Sequence, residues 1–176
     1  MGGVDKGLQL LNGRPLVQHV LERLAPQVGP LAINANRNAE TYAALGHPVW
    51  PDPLPDFPGP LAGLLAGLTH CRTPWLLAVP CDSPQLPPDL ADRLAAAVQD
   101  IAIPTTLEGG VAHPQPVFCL LRATLRTSLA EALRDGERKV MRWASRHHVA
   151  RVPFDDAAAF FNANTPDDLA LLGDRR

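Results

Sequence analysis

The sequence predicts an α/β fold in which a sheet of parallel character carries helices on both faces, and three observations lead there. Short apolar runs alternate with stretches whose apolar residues fall at helical spacing. Each apolar run stops at Gly, Pro, Asn or Asp, as buried strands do where they enter loops. The alternation runs the length of the chain without an internal repeat, which predicts one domain over residues 1–176.

Taken in order, residues 15–24 place Leu16, Val17, Val20, Leu21 and Leu24 on one helical face, with proline in the first turn, where its missing N–H is harmless. Leu31-Ala32-Ile33 reads as a buried strand ending at Asn34, residues 38–45 as a short helix closed by Gly46, and Val49-Trp50 as a brief strand running into Asp52. A proline-rich loop over 51–60 precedes a helix over 61–70, whose Gly63, Ala66 and Gly67 let it lie close against a sheet. Trp75-Leu76-Leu77-Ala78-Val79 is the clearest strand; it stops at Pro80 and leaves Cys81-Asp82-Ser83 at its carboxyl end. A helix over 88–98 follows, then strands at 101–103 and 117–121 joined across the polar loop Glu108-Gly109-Gly110. Amphipathic helices at 122–134 and 139–146, a strand at 149–152 and a helix over 166–172 capped by Thr165 complete the pattern.

Sixteen basic against 18 acidic residues leave a formal charge of −2, which excludes both the basic field of a general nucleic-acid binder and an acidic tail. With 46% apolar and 19% charged residues the chain can bury a full core, which excludes intrinsic disorder. No apolar run approaches the roughly 18 residues of a bilayer span, and no signal-peptide segment opens the sequence, so a cytoplasmic protein without membrane contact is expected. Cys71, Cys81 and Cys119 fit neither a disulfide framework nor a paired zinc spacing; they read as reduced thiols in or near the core.

Ligands of open α/β sheets bind beyond the carboxyl ends of the strands, and Asn34, Asp52 and Asp82 all fall there. Met1-Gly2-Gly3-Val4-Asp5-Lys6-Gly7 adds backbone that can approach phosphate oxygens and a lysine to neutralise them. It lacks P-loop or dinucleotide spacing, and taken alone reads more readily as a flexible start before a hairpin turn at Asn12-Gly13. Asp82 is either a metal carboxylate or a turn residue ahead of Pro84, and Asp52 either a nucleotide contact or the solvated acid of its loop. Arg134, Arg138, Lys139 and Arg142 form a small basic surface, a solvated helix face or an anion site. The six histidines form no ligand set.

Lys6-Gly7, Leu10-Leu11-Asn12-Gly13-Arg14-Pro15-Leu16, Ile33-Asn34-Ala35-Asn36-Arg37, Asp52, Phe57-Pro58-Gly59-Pro60-Leu61-Ala62-Gly63, Pro80-Cys81-Asp82-Ser83-Pro84, His113-Pro114-Gln115-Pro116, Gly136-Glu137-Arg138-Lys139-Val140 and Phe161-Asn162-Ala163-Asn164-Thr165-Pro166 follow one another in a single order. In that order the chain resembles the molybdenum cofactor guanylyltransferases, within the nucleotidyltransferases that also activate sugar phosphates. The resemblance implies a three-layer α/β/α fold with a Rossmann-like, nucleotide-diphospho-sugar-transferase-type sheet. It implies Mg²⁺-dependent transfer of GMP from GTP to the terminal phosphate of molybdenum-molybdopterin, with release of pyrophosphate. Lys6 then contacts the nucleotide phosphates, Asn34 and Asp52 the nucleotide, and Asp82 binds the metal, so that Lys6 and Asp82 are the catalytic pair. Arg138, Lys139, Asn162 and Asn164 fall on the acceptor side. A molybdoenzyme or a cofactor-handover protein is an implied partner.

The chemistry asks for such residues. Joining two phosphates brings anions together, so the site needs positive charge and in-line positioning, and an acceptor already ionised at neutral pH needs no general base. Mg²⁺ asks the protein for one or two carboxylates and keeps its waters, which suits a lone Asp82. The family opens with a strand, a Leu-Ala-Gly-Gly loop and an arginine ahead of Met-Gly-Gly. The sheet is therefore expected to lack its first strand here, and two neighbouring strands a ladder partner, at about 1 kcal/mol or more per unpaired group. Either the start is internal to a protein about twenty residues longer, or the chain as written folds with a weakened or rearranged sheet and little or no activity. Two other functions remain open at this point: cytidylyl or sugar-phosphate nucleotidyl transfer, and non-catalytic pterin binding.

Overall fold

The computed structural model describes residues 5–53, 59–163 and 165–173; Met1 to Val4, Phe57, Pro58 and Asn164 of the motifs above lie outside them. Asn12 and Gly13 take φ of 51° and 78°, the two positive values that close a two-residue hairpin between β1 (Leu10–Leu11) and β2 (Arg14–Pro15). The chain enters α1 (Leu16–Leu24) directly and buries Leu16, Val17, Val20 and Leu24, the face its spacing predicts. β3 (Ile33–Asn34) and β4 (Val49–Trp50) pair in parallel across α2 (Ala39–Ala43). The first of these strands starts at Ile33 rather than Leu31, where its ladder with Val49 begins.

α3 (Pro60–His70) leads to β5 (Trp75–Ala78), and α4 (Leu90–Ala97) to β6 (Ile101–Glu108). β7 (Val111–Pro114), β8 (Cys119–Arg122), α5 (Arg126–Arg134), α6 (Val140–Ala144), β9 (Val149–Phe154) and α7 (Pro166–Gly173) follow. β5 pairs with β8, β8 with the start of β6, β7 with the far half of β6, and β9 with its other edge. The sheet is mixed: β6 and β9 run parallel, whereas β8 is antiparallel to both its neighbours. The loop expected at Glu108-Gly109-Gly110 is the tip of a hairpin, with Gly109 and Gly110 at positive φ. β7 escaped the sequence reading because Val111-Ala112-His113-Pro114 is an edge strand, mostly exposed and ending in proline, without the apolar alternation of a buried strand.

Alternation in the long strands feeds two cores. Ile101, Ile103 and Leu121 meet Leu61, Leu64, Leu65 and Leu68 of α3, Leu129 and Leu133 of α5 and Trp143 of α6. Ala102, Leu120 and Phe118 meet Leu90 and Leu94 of α4 and Val20 of α1, which makes three layers. The glycines of α3 serve close approach: a Cβ on Gly67 would stand 2.8 Å from Leu76 Cδ2, and one on Gly63 would stand 2.5 Å from Asn34 Oδ1. The start of α3 thus lies on the carboxyl end of β3 and its later turns on the amino end of β5, so both strands run against the helix and finish on the same side. On the opposite face α1 bridges the same strands, with Val17 against Ile33 and Val20 in the core beside Leu77. Among the described residues, however, β3 ladders only with β4 and β5 only with β8, and every residue of β5 stays half-buried. None of the described helices is long and apolar enough to cross a membrane.

Candidate active site

Four elements end on one side of the sheet. β3, β4 and β5 deliver Asn34, Asp52 and Asp82, and β9, parallel to β6, delivers the segment that reaches Asn162. α5 starts beyond β8 at the opposite side and runs back, so the loop holding Arg138 and Lys139 also lies at the carboxyl ends.

Lys6 opens a single 3₁₀ turn, Lys6–Leu8, and sets its Nζ 3.9 Å from Asp82 Oδ2; the lysine side chain is 48% exposed and the aspartate side chain 12%. Burial raises the Asp82 pKa above the usual carboxylate value, and the Lys6 ammonium and a backbone N–H only partly draw it back. The neighbouring Cys81 thiol is pushed up to about 12, first by burial and then by the Asp82 charge, so it stays protonated and unreactive. Ser83, fully buried, donates its hydroxyl to Asn162 Oδ1, and the Ala163 N–H donates to Asp82 O at 2.9 Å. These two bonds tie the chain after β9 to the chain after β5 and bring Asn162 to the Lys6–Asp82 pair. Thr165 and Asp168 form a capping box at α7 just beyond, each side chain bonded to the other's backbone N–H at 3.1 and 2.8 Å.

Asn34 and Asp52 also meet, in a group of their own. Asn34 Nδ2 donates to Asp52 Oδ1 at 3.0 Å and to Trp50 O at 2.9 Å. Asn36 Nδ2 donates to Asp52 Oδ2 at 2.7 Å, and its Oδ1 accepts the Asp52 N–H at 2.7 Å. Both carboxylate oxygens are therefore held. Asn36 was not expected to take part; its signal is the period of two in Asn34-Ala35-Asn36, which puts both amides on one side of the chain.

The basic group rests on an acid that the sequence reading left without a role. Gly136 ends α5 at φ 86°, and the Glu137 N–H closes a bond to Ala132 O at 2.9 Å, the turn by which helices stop at a glycine. Glu137 is 6% exposed. Its Oε1 accepts the N–H groups of Arg138 and Lys139 at 2.9 and 3.0 Å, and its Oε2 faces Arg142 and Arg146 at 3.7 and 3.8 Å. The backbone donors, aided by the two arginines, hold its pKa below the usual range. Arg138 itself donates to Glu137 O at 2.8 Å, so the backbone of this loop is fixed while Arg134, Arg138, Lys139 and Arg142 stay exposed.

No group of three or more His, Cys, Asp or Glu that could hold a metal ion occurs among the described residues. A single carboxylate whose charge is only partly compensated by a lysine instead suits a hard cation that brings most of its ligands as water and phosphate. Together, these groups can bind a chain of phosphates at Lys6, hold a cation at Asp82 and accept a further anion at the arginine loop.

A family model described as the MobA-like NTP transferase domain matches residues 1–152. The molybdenum cofactor guanylyltransferase of Cupriavidus necator is 55% identical over 174 residues, which cover 96% of this chain and 87% of that protein. That of Bordetella petrii is 53% identical over 176 residues, 98% of this chain and 90% of the relative. Among solved structures, molybdopterin-guanine dinucleotide biosynthesis protein A from Archaeoglobus fulgidus superposes with a TM-score of 0.75 at 26% identity, covering 96% of this chain and 89% of that one. The 2-C-methyl-D-erythritol 4-phosphate cytidylyltransferase of Thermus thermophilus superposes at 0.71 with 23% identity over 96% and 92% of the two chains, a likeness of fold.

Proposed function

The chain belongs to the family of MobA-like NTP transferases, and on that premise we propose that it transfers GMP from GTP to the terminal phosphate of molybdenum-molybdopterin, forming the guanine dinucleotide cofactor and releasing pyrophosphate. The observation that carries the reading is the Lys6–Asp82 pair at the carboxyl end of β5, joined through Ser83 to Asn162. An oxygen of the acceptor phosphate attacks the α-phosphorus of GTP. The new P–O bond forms as the bond from α-phosphorus to the α–β bridging oxygen breaks, and the electron pair leaves with pyrophosphate. Lys6 neutralises the triphosphate, Asn34 and Asp52 contact the nucleoside, and Arg138, Lys139 and Asn162 hold the anionic acceptor in line. Asp82 would hold Mg²⁺, which supplies further positive charge at the reacting phosphates when bound. No side chain removes a proton, because the attacking phosphate is already ionised at neutral pH.

Relatives more than half identical to this chain bear the name of guanylyl transfer, whereas cytidylyl transfer draws only on a likeness of fold. The test is incubation with GTP, Mg²⁺ and molybdopterin, with product read by mass. A GMP-linked pterin and pyrophosphate are expected, and Asp82→Ala should lower the rate by about 10²-fold or more, the worth of several kcal/mol of charge stabilisation. An unchanged rate in that variant refutes the metal assignment; CTP used in preference to GTP refutes the guanylyl reading.

A further inference from the structure

We propose that Tyr42 and Asn38 are positioning residues: standing one turn apart, Asn38 at the head of α2 and Tyr42 within it, they grip the two oxygens of Asp5 and so hold Lys6 opposite Asp82. The Tyr42 hydroxyl donates to Asp5 Oδ1 at 2.5 Å, and Asn38 Nδ2 donates to Asp5 Oδ2 at 3.0 Å. The Tyr42 N–H bonds back to Asn38 O at 3.1 Å, which sets the two donors one turn apart. Asn38 stands at the head of α2 with φ 53°, a left-handed conformation that asparagine tolerates and that leaves its amide aimed at the acid.

Asp5 is the residue before Lys6, and its own carbonyl accepts the Leu8 N–H that starts the 3₁₀ turn. Fixing both carboxylate oxygens therefore fixes the start of the turn. The grip is closed from beneath as well. Tyr42 is 2% exposed and packs with Val17 and Ile33, with Leu8 and Cys81 against them. Gly7 is a glycine for lack of room: a Cβ there would lie 2.5 Å from the Tyr42 hydroxyl and 3.0 Å from Cys81 Sγ. Tyr42 thus stands against the turn carrying Lys6, and the residue before Asp82 packs on the same apolar cluster, which joins two segments far apart in sequence. The Lys6 side chain is 48% exposed, so a fixed backbone beneath it helps to place the ammonium.

The inference rests on the reading of Lys6 and Asp82 given above, and a double-mutant cycle separates the two. Wild type, Tyr42→Phe, Lys6→Ala and the double variant are compared for GMP transfer under single-turnover conditions, which keep slow variants measurable. Tyr42→Phe should lower the rate about tenfold and raise the concentration of GTP giving half-maximal rate in the same direction as Lys6→Ala does, as misplacement of a charge that contacts the triphosphate would. In the Lys6→Ala background it should cost less than about twofold, because a residue acting through Lys6 has nothing left to position. Asn38→Gly, which keeps the left-handed backbone and removes the donor, should repeat the pattern and stands in if Tyr42→Phe folds poorly by thermal melting. Equal costs in both backgrounds overturn the positioning role while leaving the functional reading intact. Absence of any GMP transfer by wild type overturns that reading, and the inference with it.

Discussion

Asp82 and Glu137 are both more than nine-tenths buried, at 8% and 6% exposure, and both stand at the carboxyl end of the sheet. Glu137 is met by two backbone N–H groups and two arginines, and its pKa falls. Among the described residues Asp82 is met by one lysine at 3.9 Å, too far for a direct hydrogen bond, and by a backbone N–H, and its pKa still rises. Environments that drive two acids in opposite directions assign them opposite work. The satisfied acid shapes a loop, and the under-satisfied one is left able to bind a cation. Asp52 lies between these extremes, held by two asparagines and, among the described residues, by no ion pair.

Exchanging Asp82 for asparagine breaks the comparison most severely. Asp82→Asn should abolish GMP transfer by about 10²-fold or more while raising stability by on the order of 1 kcal/mol, since a neutral amide carries no charge into the site. The sign follows from the raised folded-state pKa. The stability contribution of Asp82 is complete below the unfolded-state pKa and is lost as pH rises through the folded value. The melting-temperature advantage of the variant is therefore expected at pH 7 and should vanish toward about pH 3. A variant no more stable than wild type at neutral pH would show that Lys6 already compensates the carboxylate in full.

Glu137→Ala should act in the opposite sense, leaving the N–H groups of Arg138 and Lys139 without their acceptor and so destabilising the fold. The pKa of Glu137 is lowered, so its contribution is present above the unfolded-state pKa and lost as pH falls through the folded one. Melting curves of the two proteins should separate at neutral pH and converge in acid. The KM for the pterin acceptor should rise about tenfold with the KM for GTP unchanged, the mark of a loop that holds one substrate only. A rise confined to GTP would move the arginine loop to the nucleotide side.

The smallest effect sharpens the place of Asp52. Gly63→Ala adds a Cβ 2.5 Å from Asn34 Oδ1, while alanine gains about 1 kcal/mol over glycine within a helix. Displacing Asn34 from Asp52 should offset that gain, leaving the melting temperature nearly unchanged. The KM for GTP should rise roughly fivefold, the worth of one hydrogen bond. A tighter GTP complex in this variant would remove Asn34 and Asp52 from the nucleotide contacts.

Legibility in the sequence followed burial. α1 and α3 were readable because each declares its period over several buried positions, β5 because it is an unbroken apolar run that stops at Pro80, and the Thr165 cap because it stands directly before Pro166. The antiparallel course of β8 was not, since alternation is the same whichever way a strand runs. Lys6, Asp82 and Asn162 could be picked out from their motifs, yet their meeting depends on Ser83 bonding across 79 positions, which no local pattern encodes. The partners of Asp5 were hidden for the same reason, although Tyr42 is the chain's single tyrosine.

The half-buried strand that delivers Asp82 takes its place from β8. Trp75-Leu76-Leu77-Ala78 ladders with that strand from Trp75 against Arg122 to Ala78 against Cys119, and Cys119 is fully buried. A bulkier side chain at Cys119 would therefore push on the end of the strand that leads to Asp82, carrying a packing fault from the interior into the chemistry.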